Sequence, residues 1–241
     1  MKPKKLIKQQ RVRVIPCKEP LKLTMSKHIA PHIKAVIFDH DDTLVGTIKP
    51  KWAQHKHVAK TYYGKDLKDA EIIKHWGKPL NDLVCLLYGT DNVVEAIANN
   101  TAHHTAYPKE LFAATIPTLK QIKSLGLLIG IVTATTRFSF EHDLQEHKVP
   151  KGLLDYTQTA DDTTFHKPDP LVFEPATAWL ASKNIQPNEV LYVGDGLHDM
   201  KAALGAGFSF LGVQTELVST DDFYAAGAKS IPSIANLLEI N

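Results

Sequence analysis

The sequence predicts an α/β fold: a doubly wound parallel sheet whose first strand is separated from the second by an inserted helical segment. Three observations carry this reading. Short β-branched and apolar runs alternate with stretches of helical character, the pattern of parallel strands joined by crossover helices. The runs are apolar almost throughout, as strands covered on both faces are. Residues 46–114 contain no such run and read as helices.

The first strand is the run IKAVIF from Ile33, ending at Asp39. The second is LLIGIV (127–132), ending at Thr133, and the third is VLYV (190–193), ending at Gly194-Asp195. FSFLGV (208–213) follows Gly207, and LLDYTQTA (153–160) is a weaker candidate. Between them, Pro117 suits a first helical position, and TLKQIKSLG runs to a stop at Gly126. Phe138–His147 reads as a second helix. Asp169–Lys183 reads as a third, in which Pro175 kinks the helix or shifts its start. Asp199–Ala206 is a fourth, ended by Gly207. The insertion reads as Trp52–Tyr63, Leu67–Trp76, Leu80–Tyr88 and Val93–Tyr107, broken at Gly64, Gly77-Lys78-Pro79 and Gly89. The expected division is a basic, flexible N-terminal tail (1–32), an α/β core (33–45 and 115–241) and a helical cap (46–114).

The chain has 241 residues, 44% of them hydrophobic and 22% charged, enough for one core of normal size plus a small insertion. The net charge of +2 is unevenly placed. Residues 1–24 hold eight of the 28 lysines and arginines and one acid, Glu19, which leaves 20 basic against 25 acidic residues elsewhere. A nucleic-acid binder would carry its basic stripe on the folded body, so no nucleic-acid partner is expected. The tail reads as an arm for an anionic partner, a targeting segment, or an upstream extension; Met25 opens the run MSKHIAPHIKAVIFD, which would serve as a complete start. The longest apolar run, Leu125–Val132, is too short to span a bilayer, so no membrane partner is expected. Cys17 and Cys85 belong to no disulfide or ligand spacing, which suits the cytoplasm.

Asp39, Asp41 and Asp42 follow the first strand. Residues i and i+2 of extended chain point the same way, so Asp39 and Asp41 can share a site while His40 faces away. Alone they are an Asp-rich turn. The other strand ends change that weighting. Thr133 follows the second strand, and Asp195 and Asp199 of GDGLHD follow the third. In an open α/β sheet, ligands bind beyond the carboxyl ends of the strands. Lys167, in HKPDP, brings a cation to the same edge. Carboxylates, a hydroxyl and a lysine together meet the needs of phosphoryl transfer: metal ligands, nucleophile, acid and anion clamp. There is no P-loop. The twelve histidines show no zinc spacing; His55/His57 and His103/His104 diverge on a helix.

These residues resemble the four motifs of the haloacid dehalogenase superfamily: Asp39-His-Asp41-Asp-Thr43, Thr133 after LLIGIV, Lys167-Pro168, and Gly194-Asp195-Gly-Leu-His-Asp199. The resemblance runs from residue 33 to the C-terminus and implies a Rossmann-like core. It also implies that Asp39 is a nucleophile forming an aspartyl-phosphate, and that Asp41 is the general acid and then the base. Mg²⁺ would be held by Asp39, the Asp41 carbonyl and Asp195, with Asp199 orienting a water ligand or Lys167. Thr133, backbone N–H groups near Ala134, and Lys167 would bind the phosphate, and Thr43 would support the loop. Asp41 itself favours phosphoryl chemistry, because dehalogenases and phosphonate hydrolases of the superfamily typically lack it. Two departures stand out: Asp42 where glycine is often found, and Gly46-Thr47 where many relatives carry Asp-Ser or Asp-Thr.

The all-helical insertion resembles the class-one caps of phosphoglycolate phosphatase-like enzymes. That makes Lys78 a candidate contact for an anionic substrate, and Lys49, Lys51 and His55 candidates to face the site. The function implied is Mg-dependent hydrolysis of a small phosphorylated metabolite. One alternative is a sugar phosphomutase resembling β-phosphoglucomutase, whose cap histidine would fall near Lys51, where there is none. Another is a non-catalytic regulator on the same scaffold.

Overall fold

The structure, a computed structural model, describes residues 28–239. Strand β1 (Ala35–Phe38) is followed by the two-residue β2 (Val45–Gly46), then by α1 (Ile48–Tyr63), α2 (Asp69–His75), α3 (Leu80–Tyr88) and α4 (Val93–Ala102). A 3₁₀ turn, His104–Ala106, leads into β3 (Glu110–Leu111), which pairs antiparallel with β2. The chain continues through α5 (Thr115–Ser124), β4 (Leu128–Val132), α6 (Arg137–Glu146), β5 (Tyr156–Gln158), α7 (Glu174–Ser182) and β6 (Val190–Gly194). It closes with α8 (Leu197–Gly205), β7 (Ser209–Val213), α9 (Thr220–Ala225) and β8 (Ser230–Ile231).

Six parallel strands form one sheet in the order β5-β4-β1-β6-β7-β8. The period-two alternation of β1 shows why its sequence is apolar throughout. Val36 and Phe38 enter one core with Leu119 and Ile122 of α5 and Phe140 of α6. Ala35 and Ile37 enter the opposite core with Ala176 and Leu180 of α7 and Ala202 and Ala203 of α8. Both faces of the strand are therefore buried, and the sheet is doubly wound as expected. The helices α1–α4 bury a separate core: Val58, Ala59, Ile72, Leu83, Val84, Leu87, Tyr88 and Ala96. Cutting Ile72 or Leu87 to alanine there costs about 2–5 kcal/mol.

Several boundaries differ from expectation. Ile29 is buried in the first core, so packed chain extends upstream of the boundary at residue 33; residues 1–27 lie outside the described residues. Pro117 is the third residue of α5, not the first. The expected helix 169–183 is a 3₁₀ turn, Pro170–Phe173, followed by α7, which places Pro175 in the first turn where its missing N–H costs nothing. The expected helix 93–107 stops at Ala102. Strands β2, β3 and β8 are two residues each, too short to show any period.

Candidate active site

Strand β1 lies between β4 and β6, so three strand ends meet at one edge. β1 pairs with both neighbours up to Phe38, and the Asp39 N–H then donates to the Val193 carbonyl at 2.8 Å. Asp39 therefore leaves the sheet beside the segments bearing Thr133 and Asp195. Lys167 Nζ reaches Asp39 Oδ1 at 2.8 Å and Asp199 Oδ1 at 2.7 Å, with the Tyr192 ring beneath it at 5.3 Å. Asp199, wholly buried in the first turn of α8, accepts from the Gly196 N–H at 3.0 Å and the Tyr192 hydroxyl at 3.3 Å. A Cβ on Gly194 would lie 2.7 Å from Asp199 Cγ, so only glycine fits beneath it. Burial raises Asp39, helped by the Asp199 and Asp41 charges and opposed by Lys167. Asp195 is pushed well above the carboxylate range by burial and by the charges of Asp199, Asp39 and Asp42. Burial alone would lower Lys167, but Asp199 and Asp39 hold it well above its ordinary value, hence charged.

Asp41 sits in a cage of donors. Its Oδ1 accepts from Thr47 Oγ1 and Lys109 Nζ, both at 2.6 Å; its Oδ2 accepts from Thr135 Oγ1 at 2.5 Å and Thr133 Oγ1 at 3.5 Å. Burial would raise its pKa, but Lys109 and His40 outweigh it and hold the carboxyl well below the usual range. His40 is buried and pairs with Asp143 at 3.0 Å, on the same oxygen that takes Lys109.

A family profile named Haloacid dehalogenase-like hydrolase matches residues 36–213. The chain belongs to the haloacid dehalogenase-like hydrolases. It is 31% identical to the Pyrophosphatase PpaX of Bacillus cereus (strain G9842) over 179 residues, covering 73% of this chain and 80% of the relative. A haloacid dehalogenase-like hydrolase structure from Bacteroides fragilis superposes with a TM-score of 0.74 at 28% identity, covering 85% of this chain and 99% of that one. CbbY from Rhodobacter sphaeroides, solved with phosphate, superposes at 0.70 and 18% identity, covering 85% and 96%, which speaks to the fold alone. The chain is thus an enzyme, a phosphatase of the haloacid dehalogenase superfamily.

The superfamily's Asp-rich loop is built here with one departure that the backbone explains. Asp42 has φ 54°, the left-handed region that favours glycine and that Asp tolerates better than most residues. Its Oδ1 then accepts the N–H groups of Thr47 (2.8 Å) and Ile48 (3.0 Å) at the start of α1. Burial raises its pKa to about 7 against those two bonds. The second departure is also accounted for: Gly46 lies against Phe112, where a Cβ would come within 3.2 Å, and Thr47 donates to Asp41.

The remaining candidates divide. Thr133 is buried and near Asp41, its Oγ1 accepting from the Thr135 N–H at 3.0 Å; Ala134 is exposed at the end of β4. Thr43 is wholly buried with no hydrogen-bond partner for its hydroxyl among the described residues. Lys78 is exposed in the α2–α3 turn and is not among the residues gathered at Asp39 and Asp41. Lys49 pairs with Glu216 at the surface, and His55 is buried against Tyr88 within the helical segment. Lys51 is half-buried on α1, bonded to Gln54 and His104; burial and Lys109 lower it to about 8. Lys109, Thr135 and Asp143 were not singled out by sequence reasoning. No spacing rule connects them to Asp41, and each reads alone as an ordinary polar residue of a linker, loop or helix.

Oxygens of Asp39, Asp195 and Asp199 lie within 4.8 Å of one another. Lys167 pairs with Asp39 and Asp199, so these three carboxylates hold more negative charge than the one buried ammonium offsets, which fits a divalent cation at Asp39 and Asp195. His104, His142 and Asp143 form a second such group. There, Lys51 lies 3.1 Å from His104 Nδ1 and Lys109 lies 2.9 Å from Asp143, so ammonium groups already hold the place of a cation.

Proposed function

We propose that this phosphatase hydrolyses a small phosphorylated metabolite through a phosphoryl group carried on Asp39, with Mg²⁺ as its metal. The observation that carries the proposal is the Lys167 ammonium, bonded at once to Asp39 and Asp199 at the strand edge. A carboxylate approaching a phosphate is repelled, and a fixed buried cation offsets that repulsion without reorganising. Asp39, the Asp41 carbonyl and Asp195 would hold Mg²⁺, and Asp199, whose oxygens are committed to Lys167, Tyr192 and Gly196, would orient Lys167. When bound, the metal supplies charge neutralisation at the phosphate.

In the first step an Asp39 oxygen bonds to phosphorus as the bond to the leaving oxygen breaks, and a proton reaches that oxygen through Asp41. The described Asp41 is ionised, so this proton enters with the monoanionic phosphate ester, whose second pKa is about 6. In the second step Asp41 takes a proton from water, the water oxygen bonds to phosphorus, and Asp39 is released. Thr133 and the backbone near Ala134 would cradle the phosphate oxygens. Helices α1–α4 would act as a cap joined to the α/β core through the β2–β3 ribbon, admitting small substrates and excluding water. The cysteine usage supports a cytoplasmic setting.

The relative's name makes pyrophosphate the first substrate to test, followed by a panel of phosphorylated metabolites, with phosphate release read with and without Mg²⁺. Release that requires the metal and disappears in Asp39→Asn is the expected result; release unchanged by either contradicts the proposal. The mutase alternative gains no support at the cap: His55, near the expected histidine position, bonds Tyr88 and not Asp41.

A further inference from the structure

Lys109 stands immediately before β3, where the chain returns from the helical segment to the sheet, and it is 6% exposed. Its Nζ lies 2.6 Å from Asp41 Oδ1, 2.9 Å from Asp143 Oδ2 and 3.5 Å from Thr135 Oγ1. Asp143, 2% exposed on α6, takes His40 Nε2 on the same oxygen. One buried ammonium thus ties the loop after β1, the returning linker and α6 together. Such a network is a poor stabilising device, since apolar residues of similar volume do as well without desolvating charge. It is a good orienting device. Lys109 and Thr47 fix one oxygen of Asp41 while Thr135 and Thr133 face the other, so the carboxylate cannot rotate without breaking several bonds.

We propose that Lys109, itself held by Asp143, is a positioning residue that aims the Asp41 carboxylate at the leaving oxygen of the bound phosphate. This rests on the reading of Asp41 as the acid and base. In the step served, the Asp39–phosphorus bond forms, the phosphorus–leaving-oxygen bond breaks, and the proton that enters with the monoanionic ester is relayed through Asp41 to that oxygen. A leaving group that is already a stable anion needs no proton, so misplacing Asp41 harms alkyl phosphates far more than activated aryl phosphates.

The test compares kcat/KM, which reports the first step, for an alkyl phosphate and for 2,4-dinitrophenyl phosphate in wild type, Asp41→Asn and Lys109→Met. Both variants are expected to lose about 100-fold on the alkyl ester and no more than a few-fold on the aryl ester. If Lys109→Met does not fold, Lys109→Met/Asp143→Asn, which removes one buried charge of each sign, is measured against the same expectation. An equal loss on both esters, or none, in the Lys109 variants while Asp41→Asn discriminates overturns the role of Lys109. Absence of discrimination in Asp41→Asn overturns the acid reading of Asp41 and the inference with it.

Discussion

Lys167 Nζ lies 2.8 Å from Asp39 Oδ1, and both side chains are less than a tenth exposed. Removing the cation leaves Asp39 and Asp199 charged, buried and unpaired. Lys167→Met should therefore destabilise the fold by about 3–5 kcal/mol, the usual cost of breaking a buried pair from one side. Its activity should fall by at least about 100-fold, as for loss of one preorganised electrostatic contact. Denaturant unfolding and steady-state kinetics on the purified variant check both. A variant of unchanged stability would mean that the pair is not formed in solution.

The crowded carboxylates Asp39 and Asp195, both raised by burial, predict a pH-dependent metal site. Protons and metal compete for the same oxygens, so Mg²⁺ binding weakens as pH falls. The thermal upshift given by Mg²⁺ should be larger at mildly alkaline than at mildly acid pH, and much reduced in Asp195→Asn. Differential scanning fluorimetry with and without EDTA measures this.

Asp42 has its folded-state pKa raised from 3.8 to about 7. Between those values the folded state holds the proton and the unfolded state does not, so the stability it contributes is full below the lower value and is lost as pH rises toward the upper. Asn at this position keeps the acceptor for the Thr47 and Ile48 N–H groups and removes the titration. Without metal, Asp42→Asn should match wild type in Tm near the lower value and exceed it above pH 7. A constant difference across that range would contradict the assignment.

Gly194→Ala places a methyl group 2.7 Å from Asp199 Cγ, and Asp199 has no room to withdraw. The overpacking should cost about 1–3 kcal/mol. It should also lower activity by displacing Lys167; steady-state kinetics beside Ile72→Ala, in the separate core of α1–α4, distinguishes this from a simple stability loss.

What the sequence made legible was local. Asp39 and Asp41 could be read because alternation along an extended chain is a rule of two residues. The strands behind them could be read because a doubly covered strand such as AVIF is apolar throughout. Helix ends at Gly64 and Gly89 were legible because both residues take the left-handed conformation that glycine permits. The other half of the Asp41 environment was not. Lys109 and Asp143 meet only because the β2–β3 ribbon returns the chain beside the loop after β1, and that ribbon has two residues per strand. Thr47 was visible as a departure from the family pattern, but its bond to Asp41 depends on the turn that Asp42 makes at φ 54°.

The most direct measurement is to acid-quench the enzyme during turnover and locate any covalent phosphoryl group by peptide mass spectrometry. The account predicts a phosphoryl group on Asp39, absent from Asp39→Asn and accumulating in Asp41→Asn when 2,4-dinitrophenyl phosphate, whose departure needs no proton, is the substrate. A phosphoryl group on a different residue of an active enzyme would contradict it.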